Sequence, residues 1–180
     1  MEKNANLPKL GIYKLDQSFE GPKKSTLGAA CFDVAFQTTD GVIQYYDKHN
    51  SPMERELRGN TLRFMPGDRI LVPTGLIFDI PEGYHLKVHV RSSTGIKKGL
   101  CLAHSTGIID WDYTGQLYMP LMMNSSDDVS GVDIERGERL CQIELVKSED
   151  YKLKHLKEPP GQKTDRVLGD AGGLGSTGDK

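Results

Sequence analysis

A chain of 180 residues, 37% hydrophobic and 27% charged, suits one compact domain with a tail better than two domains. Its formal net charge of −2 argues against a strongly basic nucleic-acid groove, and no apolar run approaches the ~20 residues that a bilayer span needs. The start MEKNANLPKL has no signal-peptide core, and Cys31, Cys101 and Cys141, odd in number and far apart, read as buried thiols of a reducing compartment. The expected location is therefore cytoplasmic, or a host-cell cytoplasm if the source is viral.

Apolar residues rarely recur at helical spacing. Short runs of Val, Ile, Leu, Phe and Tyr are punctuated by Gly, Pro, Asn and Asp, the rhythm of an all-β sandwich or barrel. Strands are predicted over residues 9–15, 31–37, 61–65, 69–73, 76–80, 84–90, 100–103, 115–123, 131–134 and 138–146. The segments MPGDR, PTG, IPEGY, NSSDD and ERGER supply the turn residues between them. Only residues 92–98 have room for a helical turn. In 84–90 the alternation puts Leu86, Val88 and Val90 on one face and His85, Lys87 and His89 on the other. The two histidines are then about 13 Å apart at strand rise, too far to chelate one ion. Residues 38–60 break the strand rhythm and read as a surface insert, either a plain excursion or a partner-binding segment. The β domain is expected to span 1–147, followed by a linker over 148–165 and a Gly-rich arm over 166–180 that stays mobile until something orders it.

The stretch HSTGIIDWDYTG, residues 104–115, reads as a hairpin that brings Asp110 and Tyr113 to a surface. A carboxylate and a ring at its mouth can grip a small planar ligand, although Asp110 and Asp112 also suit simple turn capping. Four further stations carry chemistry: Asp33 in LGAACFDVAF; Arg91, Ser92 and Ser93 in VRSSTGIKKG; Gln142 in RGERLCQIEL; and the glycines, Ser176 and Thr177 of the tail. A guanidinium, hydroxyls and free backbone N–H groups near glycine are what a polyphosphate requires. Singly, each also reads as a strand-end ion pair or a satisfied core amide. The tail string GLGSTGDK approaches a phosphate-loop pattern, but Asp179 stands where the lysine belongs and the strand and helix context is missing.

In this order, AACFDVAF, VRSSTG, GIIDWDYTG, RGERLCQIEL and GGLGSTG resemble the five motifs of the all-β, homotrimeric dUTP diphosphatase (dUTPase) family, over roughly residues 28 to 178. The resemblance implies a distorted jelly-roll, a β-clip-like barrel, that trimerises and shares each active site among chains, with the C-terminal arm closing it. It implies hydrolysis of dUTP to dUMP and pyrophosphate, with Mg²⁺ held largely by phosphates and water, a hard-cation role that needs no protein-only cage. Carried over by position, Asp110 would activate the attacking water and Tyr113 would pack under the deoxyribose and exclude a 2′-hydroxyl. His104, Gly107, Ile109 and Leu174 would surround the sugar and base. Arg91, Ser92, Ser93 and Gln142 would contact phosphates, Asp33 would support the metal and phosphate region through water, and Arg166, Gly173, Ser176 and Thr177 would belong to the arm over the triphosphate.

Three departures bear on specificity. His104 stands where some relatives have an Asn that helps read the base, so a preference for dCTP or a modified deoxypyrimidine triphosphate is an alternative. Leu174 replaces a stacking Phe, and Arg166 lies six residues before Gly172, as though three residues were inserted. The related dCTP deaminase needs a glutamate where this chain has Pro120, which cannot shuttle a proton. Zinc-deaminase signatures are missing. A nucleotide-responsive regulator acting through 38–60 is the rival of a different class.

Overall fold

A computed structural model of the protein describes residues 7–124 and 130–160. Strands β1 (Gly11–Lys14), β2 (Phe32–Ala35), β3 (Val42–Tyr46), β4 (Pro52–Glu56), β5 (Thr61–Phe64), β6 (Arg69–Asp79) and β7 (Tyr84–Val90) precede the short helix α1 (Ser92–Lys98). After it come β8 (Leu100–Leu102), β9 (Gly107–Ile109), β10 (Gln116–Met123), β11 (Val132–Glu135) and β12 (Arg139–Lys147). The all-β expectation and the helical turn at 92–98 both hold. Among the described residues the sheets are open: one in the order β4-β3-β6-β10-β8 with β1 also on β6, one in the order β2-β12-β7-β9, and the pair β11-β5. No helix among the described residues is long and apolar enough to cross a membrane.

The alternation read in β7 explains how the four-stranded sheet meets the core. Leu86 and Val88 are buried, while His85, Lys87 and His89 share the other face. There His85 Nδ1 lies 2.8 Å from Ser148 Oγ, and His89 Nε2 lies 3.1 Å from Glu144 Oε1. Phe36, Phe64, Leu86, Met119, Leu121 and Leu140, contributed by several strands and their flanks, are fully buried in one apolar cluster. Deleting such a ring or branched chain, as in Phe36→Ala, costs about 3–5 kcal/mol through lost transfer energy and the cavity left behind.

Several expectations are corrected. The proposed turn PTG lies inside β6, which is one strand of 11 residues, not two. Pro73 lacks an N–H, and the ladder is shifted between Gln116 and Tyr118. Side chains repair the gap: Thr74 Oγ1 donates to the Leu117 carbonyl at 2.7 Å, and the Gly75 N–H donates to Gln116 Oε1 at 2.9 Å. Gly75 has φ +67, and a Cβ there would stand 2.3 Å from the Phe19 ring.

Residues 38–60 are not a structureless excursion, because β3 and β4 pair as a hairpin that extends the six-stranded sheet. Its turn is built by Asp47, whose Oδ1 accepts the N–H groups of His49 and Ser51 at 2.9 and 2.8 Å, and by Asn50 at φ 63. Those bonds also hold the exposed Asp47 carboxyl below its usual range, the Ser51 N–H being the chief cause. On the inner side Arg55 lies over the Tyr45 ring at 4.1 Å and pairs with the buried Asp68 at 2.5 Å.

The 104–115 stretch is not a hairpin either. β8 pairs with β10 and β9 pairs with β7, so the chain crosses from one sheet to the other there. The glycines that suggested a reversal serve a close approach instead. Of the cysteines only Cys141 is buried, with Cys31 and Cys101 half-buried. Most of the proposed turn NSSDD, and the whole arm, lie outside the described residues. The chain divides into two units, 1–149 and 150–180. Of the second, residues 150–160 are described, and they are irregular and exposed.

Candidate active site

β12 lies between β2 and β7, and this places three of the sequence stations side by side. Gln142 is the direct partner of both Asp33 and His89, and Arg91 follows the end of β7 as the residue before α1. Asp33, although charged, is only 6% exposed, so its carboxylate needs partners. It has three: Arg91 Nε lies 3.1 Å from Oδ1, Arg139 Nη1 lies 3.3 Å from Oδ2, and the Ser25 hydroxyl donates to Oδ2 at 2.7 Å. Arg91 Nη1 also donates to the Arg139 carbonyl at 2.9 Å. Ser92 and Ser93 open α1, which ends at Gly99 in the left-handed conformation, φ 65. Lys97 and Lys98 occupy its last turn, where cations suit the helix dipole.

A recess of about 370 Å³ is lined by Arg91, Ser93, Lys97, Lys98 and Arg139 among others. Lys98 is already paired with Glu138 at 2.9 Å, so the lining is positive mainly through the two guanidiniums and Lys97.

The second group sits on β9 and the turn after it. Gly107 is buried against Val88, where a Cβ would stand 3.0 Å from the Val88 Cβ and 3.3 Å from His104 Cε1. Only a residue without a side chain lets β9 lie this close to β7 with the His104 ring across it. The Tyr113 N–H donates to the Asp110 carbonyl at 3.1 Å, closing a turn that leaves the Asp110 side chain exposed. The Tyr113 hydroxyl donates to the Gln116 carbonyl at 2.8 Å, and a Cβ on Gly115 would stand 2.6 Å from that hydroxyl. The phenol is thus pinned over a glycine, with its ring 43% exposed.

These two groups do not meet within one chain. Leu86 is level with Ile109 and Val88 with Gly107, so continuing the register puts residue 110 level with His85. Arg91 is six residues further along β7, about 20 Å at strand rise, more than two side chains can close on one phosphate. Arg166, Leu174, Ser176 and Thr177 lie outside the described residues.

Two members of the first group were not singled out from the sequence. Arg139 sits inside RGERLCQIEL but drew no role, and Ser25, in GPKKSTLG, precedes every matched segment and carries no local signal. Cys141 is unsuited to chemistry, since burial pushes its thiol up to about 12. Cys31 is also raised, first by burial and then by the negative charges of Glu144 and Asp33.

Open β-sheets hold a cluster of guanidiniums at one strand end and an exposed carboxylate beside a ring at the other, a set of groups whose chemistry suits a ring-bearing anion. Comparison with known proteins sharpens this class. The family model described as dUTPase matches residues 59–178. A deoxyuridine 5'-triphosphate nucleotidohydrolase of Rhizobium rhizogenes is 37% identical over 173 residues, 95% of this chain and 94% of that protein. One of Finegoldia magna is 31% identical over 157 residues, 87% of this chain and 90% of its own. In fold, the chain is similar to the Staphylococcus bacteriophage 80alpha dUTPase with dUPNHPP, with a TM-score of 0.70 at 21% identity over 95% of this chain and 99% of that one. It is also similar to a mutant dUTPase from phage phi11 of S. aureus, a structure described as revealing the coordination of a structural Mg(II) ion, with a TM-score of 0.64 at 20% identity over 83% and 97% of the two chains. The chain belongs to the dUTPase family, and it is an enzyme of that family.

Proposed function

We propose that this enzyme hydrolyses dUTP to dUMP and pyrophosphate at sites assembled from more than one copy of the chain, in a homotrimer as the family resemblance implies. The observation that carries the shared site is the separation along β7. The carboxylate and ring stand at one end of the strand and the guanidinium cluster at the other, so a second copy must supply the half that one copy lacks.

In this reading Asp110 accepts a hydrogen bond from water and takes its proton as the water oxygen attacks the α-phosphorus in line. The bond from that phosphorus to the α–β bridging oxygen breaks, and its electron pair leaves with pyrophosphate. The turn that pins the Asp110 carbonyl to Tyr113 fixes where the carboxylate starts. Tyr113 lies under the deoxyribose with its hydroxyl already spent on Gln116, so its ring meets the sugar as an apolar plane and leaves no room for a 2′-hydroxyl. His104, Gly107 and Ile109 face the base. Arg91, Ser92, Ser93 and Gln142 take the phosphates, and Arg166, Leu174, Ser176 and Thr177 of the arm would cover them.

Among the described residues no group of three or more His, Cys, Asp or Glu side chains stands ready for a metal. Asp33, the acid nearest the phosphate side, is already neutralised by two guanidiniums. This donor set fits a Mg²⁺ ion carried mainly by triphosphate oxygens and water, with Asp33 facing it at most through water. When bound, such an ion spreads the charge of the leaving pyrophosphate. The deaminase alternative gains nothing, because Pro120 sits in β10 opposite Leu71.

The test is pyrophosphate release with dUTP, dCTP, dTTP and UTP in Mg²⁺ buffer. Preference for dUTP over UTP is expected from Tyr113. Equal rates on the two would sink its assignment, and a preference for dCTP would transfer the base contacts to His104.

A second reading rests on the β3–β4 hairpin. Val42 and Tyr46 on its outer face are 43% and 47% exposed and line neighbouring grooves with Leu71. The 80alpha enzyme is described as controlling transfer of virulence genes by a G protein-like mechanism. An added role as a nucleotide-responsive regulator through this face predicts that Val42→Asp with Tyr46→Asp abolishes partner capture and leaves turnover intact. Capture that survives both changes would remove this reading.

A further inference from the structure

Ser25 lies outside the five motifs that resemble the family, yet it is folded onto the phosphate group of residues. The backbone of Lys23 bridges residue 33 in both directions, with N–H to carbonyl distances of 3.1 and 2.8 Å, and the Lys24 ammonium sits 5.1 Å from the centre of the Phe32 ring. Those contacts turn the stretch before β2 back on itself and carry the Ser25 hydroxyl to Asp33 Oδ2.

Asp33 is in turn a bridge. Its two oxygens are divided between Arg91 and Arg139, and the Arg139 carbonyl takes a second bond from Arg91. These bonds use Nε and Nη1 of Arg91 and leave Nη2 outside them, on a residue that lines the 370 Å³ recess. A guanidinium held beforehand has already given up its rotamer freedom on folding, so binding a phosphate costs less. Arg139 also offsets the charge of Asp33, so the positive charge of Arg91 is not cancelled by its own support.

We propose that Ser25 and Arg139 are positioning residues for the reaction: they fix the Asp33 carboxylate, and that carboxylate sets the orientation in which Arg91 meets the phosphates. This rests on the assignment of Arg91 to substrate phosphates made above.

The experiment is steady-state dUTP hydrolysis by full-length Ser25→Ala, Arg139→Gln and Arg139→Lys enzymes, with Ser25→Ala repeated in an Arg91→Lys background. Ser25 is exposed, so Ser25→Ala keeps the fold even where Arg139→Gln fails to fold. Ser25→Ala and Arg139→Gln should each raise KM about tenfold, equivalent to about 1.4 kcal/mol, with kcat within about twofold of wild type. Arg139→Lys should recover part of that loss. In the Arg91→Lys background Ser25→Ala should add less than about twofold, because its effect passes through the residue already changed. An unchanged KM in Ser25→Ala, or the same multiplicative rise with and without Arg91→Lys, overturns the proposal while leaving the hydrolase reading intact. A wild-type enzyme that releases no pyrophosphate from dUTP overturns both.

Discussion

The two halves of the candidate site are built in opposite ways. Around Asp33 every group has a partner: a buried carboxylate, two guanidiniums, a hydroxyl and a backbone carbonyl hold one another in place. Around Asp110 the backbone is fixed by a turn bond and by two glycines under close contact, while the side chain itself stands in solvent. The first arrangement suits a group that must grip a polyanion in one orientation. The second suits the proposed base, which has to meet water and, in the proposed homotrimer, a second chain.

That contrast can be broken most severely at the base. Asp110→Asn should lower kcat by about 10²–10⁴-fold, the range for a lost general base, with no change in melting temperature or in binding of a nonhydrolysable dUTP analogue. A variant that keeps most of its turnover would remove Asp110 from the chemistry. At the other half the same substitution should read out in stability first. Asp33→Asn weakens charged hydrogen bonds to a buried group and should cost about 1.5–3 kcal/mol, visible as a lower urea midpoint together with a higher KM. An unchanged midpoint would show that the cluster is not preorganised as described.

A smaller effect is expected from Gly115→Ala. Its Cβ would meet the Tyr113 hydroxyl at 2.6 Å, so the ring must shift, and discrimination of dUTP against UTP should fall by about tenfold, the scale of a one-carbon misfit in a pocket. Retained discrimination would mean that the ring excludes the 2′-hydroxyl without that bond. Least dramatic is Cys141, whose folded-state thiol is raised from 9.0 to about 12 by burial. The neutral thiol is favoured in the folded chain, so its contribution to stability is complete below pH 9 and is lost as pH rises from there towards 12. A thiol reagent at pH 8 should modify Cys141 only after denaturant unfolds the sheet. Fast modification of the native enzyme would contradict its burial between β2 and β7.

Local chemistry in the sequence was sufficient for the all-β class, the turn residues, the alternation of β7 and the helical turn at 92–98, because strand period, glycine freedom and proline stiffness act over a few neighbouring residues. It also singles out Asp33, Arg91 and Gln142 as residue types suited to a polyphosphate, and Asp110 and Tyr113 as types suited to a small planar ligand. It misread PTG as a turn and 104–115 as a hairpin, since each depends on strands paired from elsewhere in the chain, and it did not show the β3–β4 hairpin within 38–60. Only the tertiary structure, through the placing of β12 between β2 and β7, decides that Asp33 lies against Arg91 and Arg139 and that Ser25 reaches it. The pairing of β9 with β7 sets Asp110 at the far end of β7, a separation that hydrogen-bond register controls and that no local run of residues encodes.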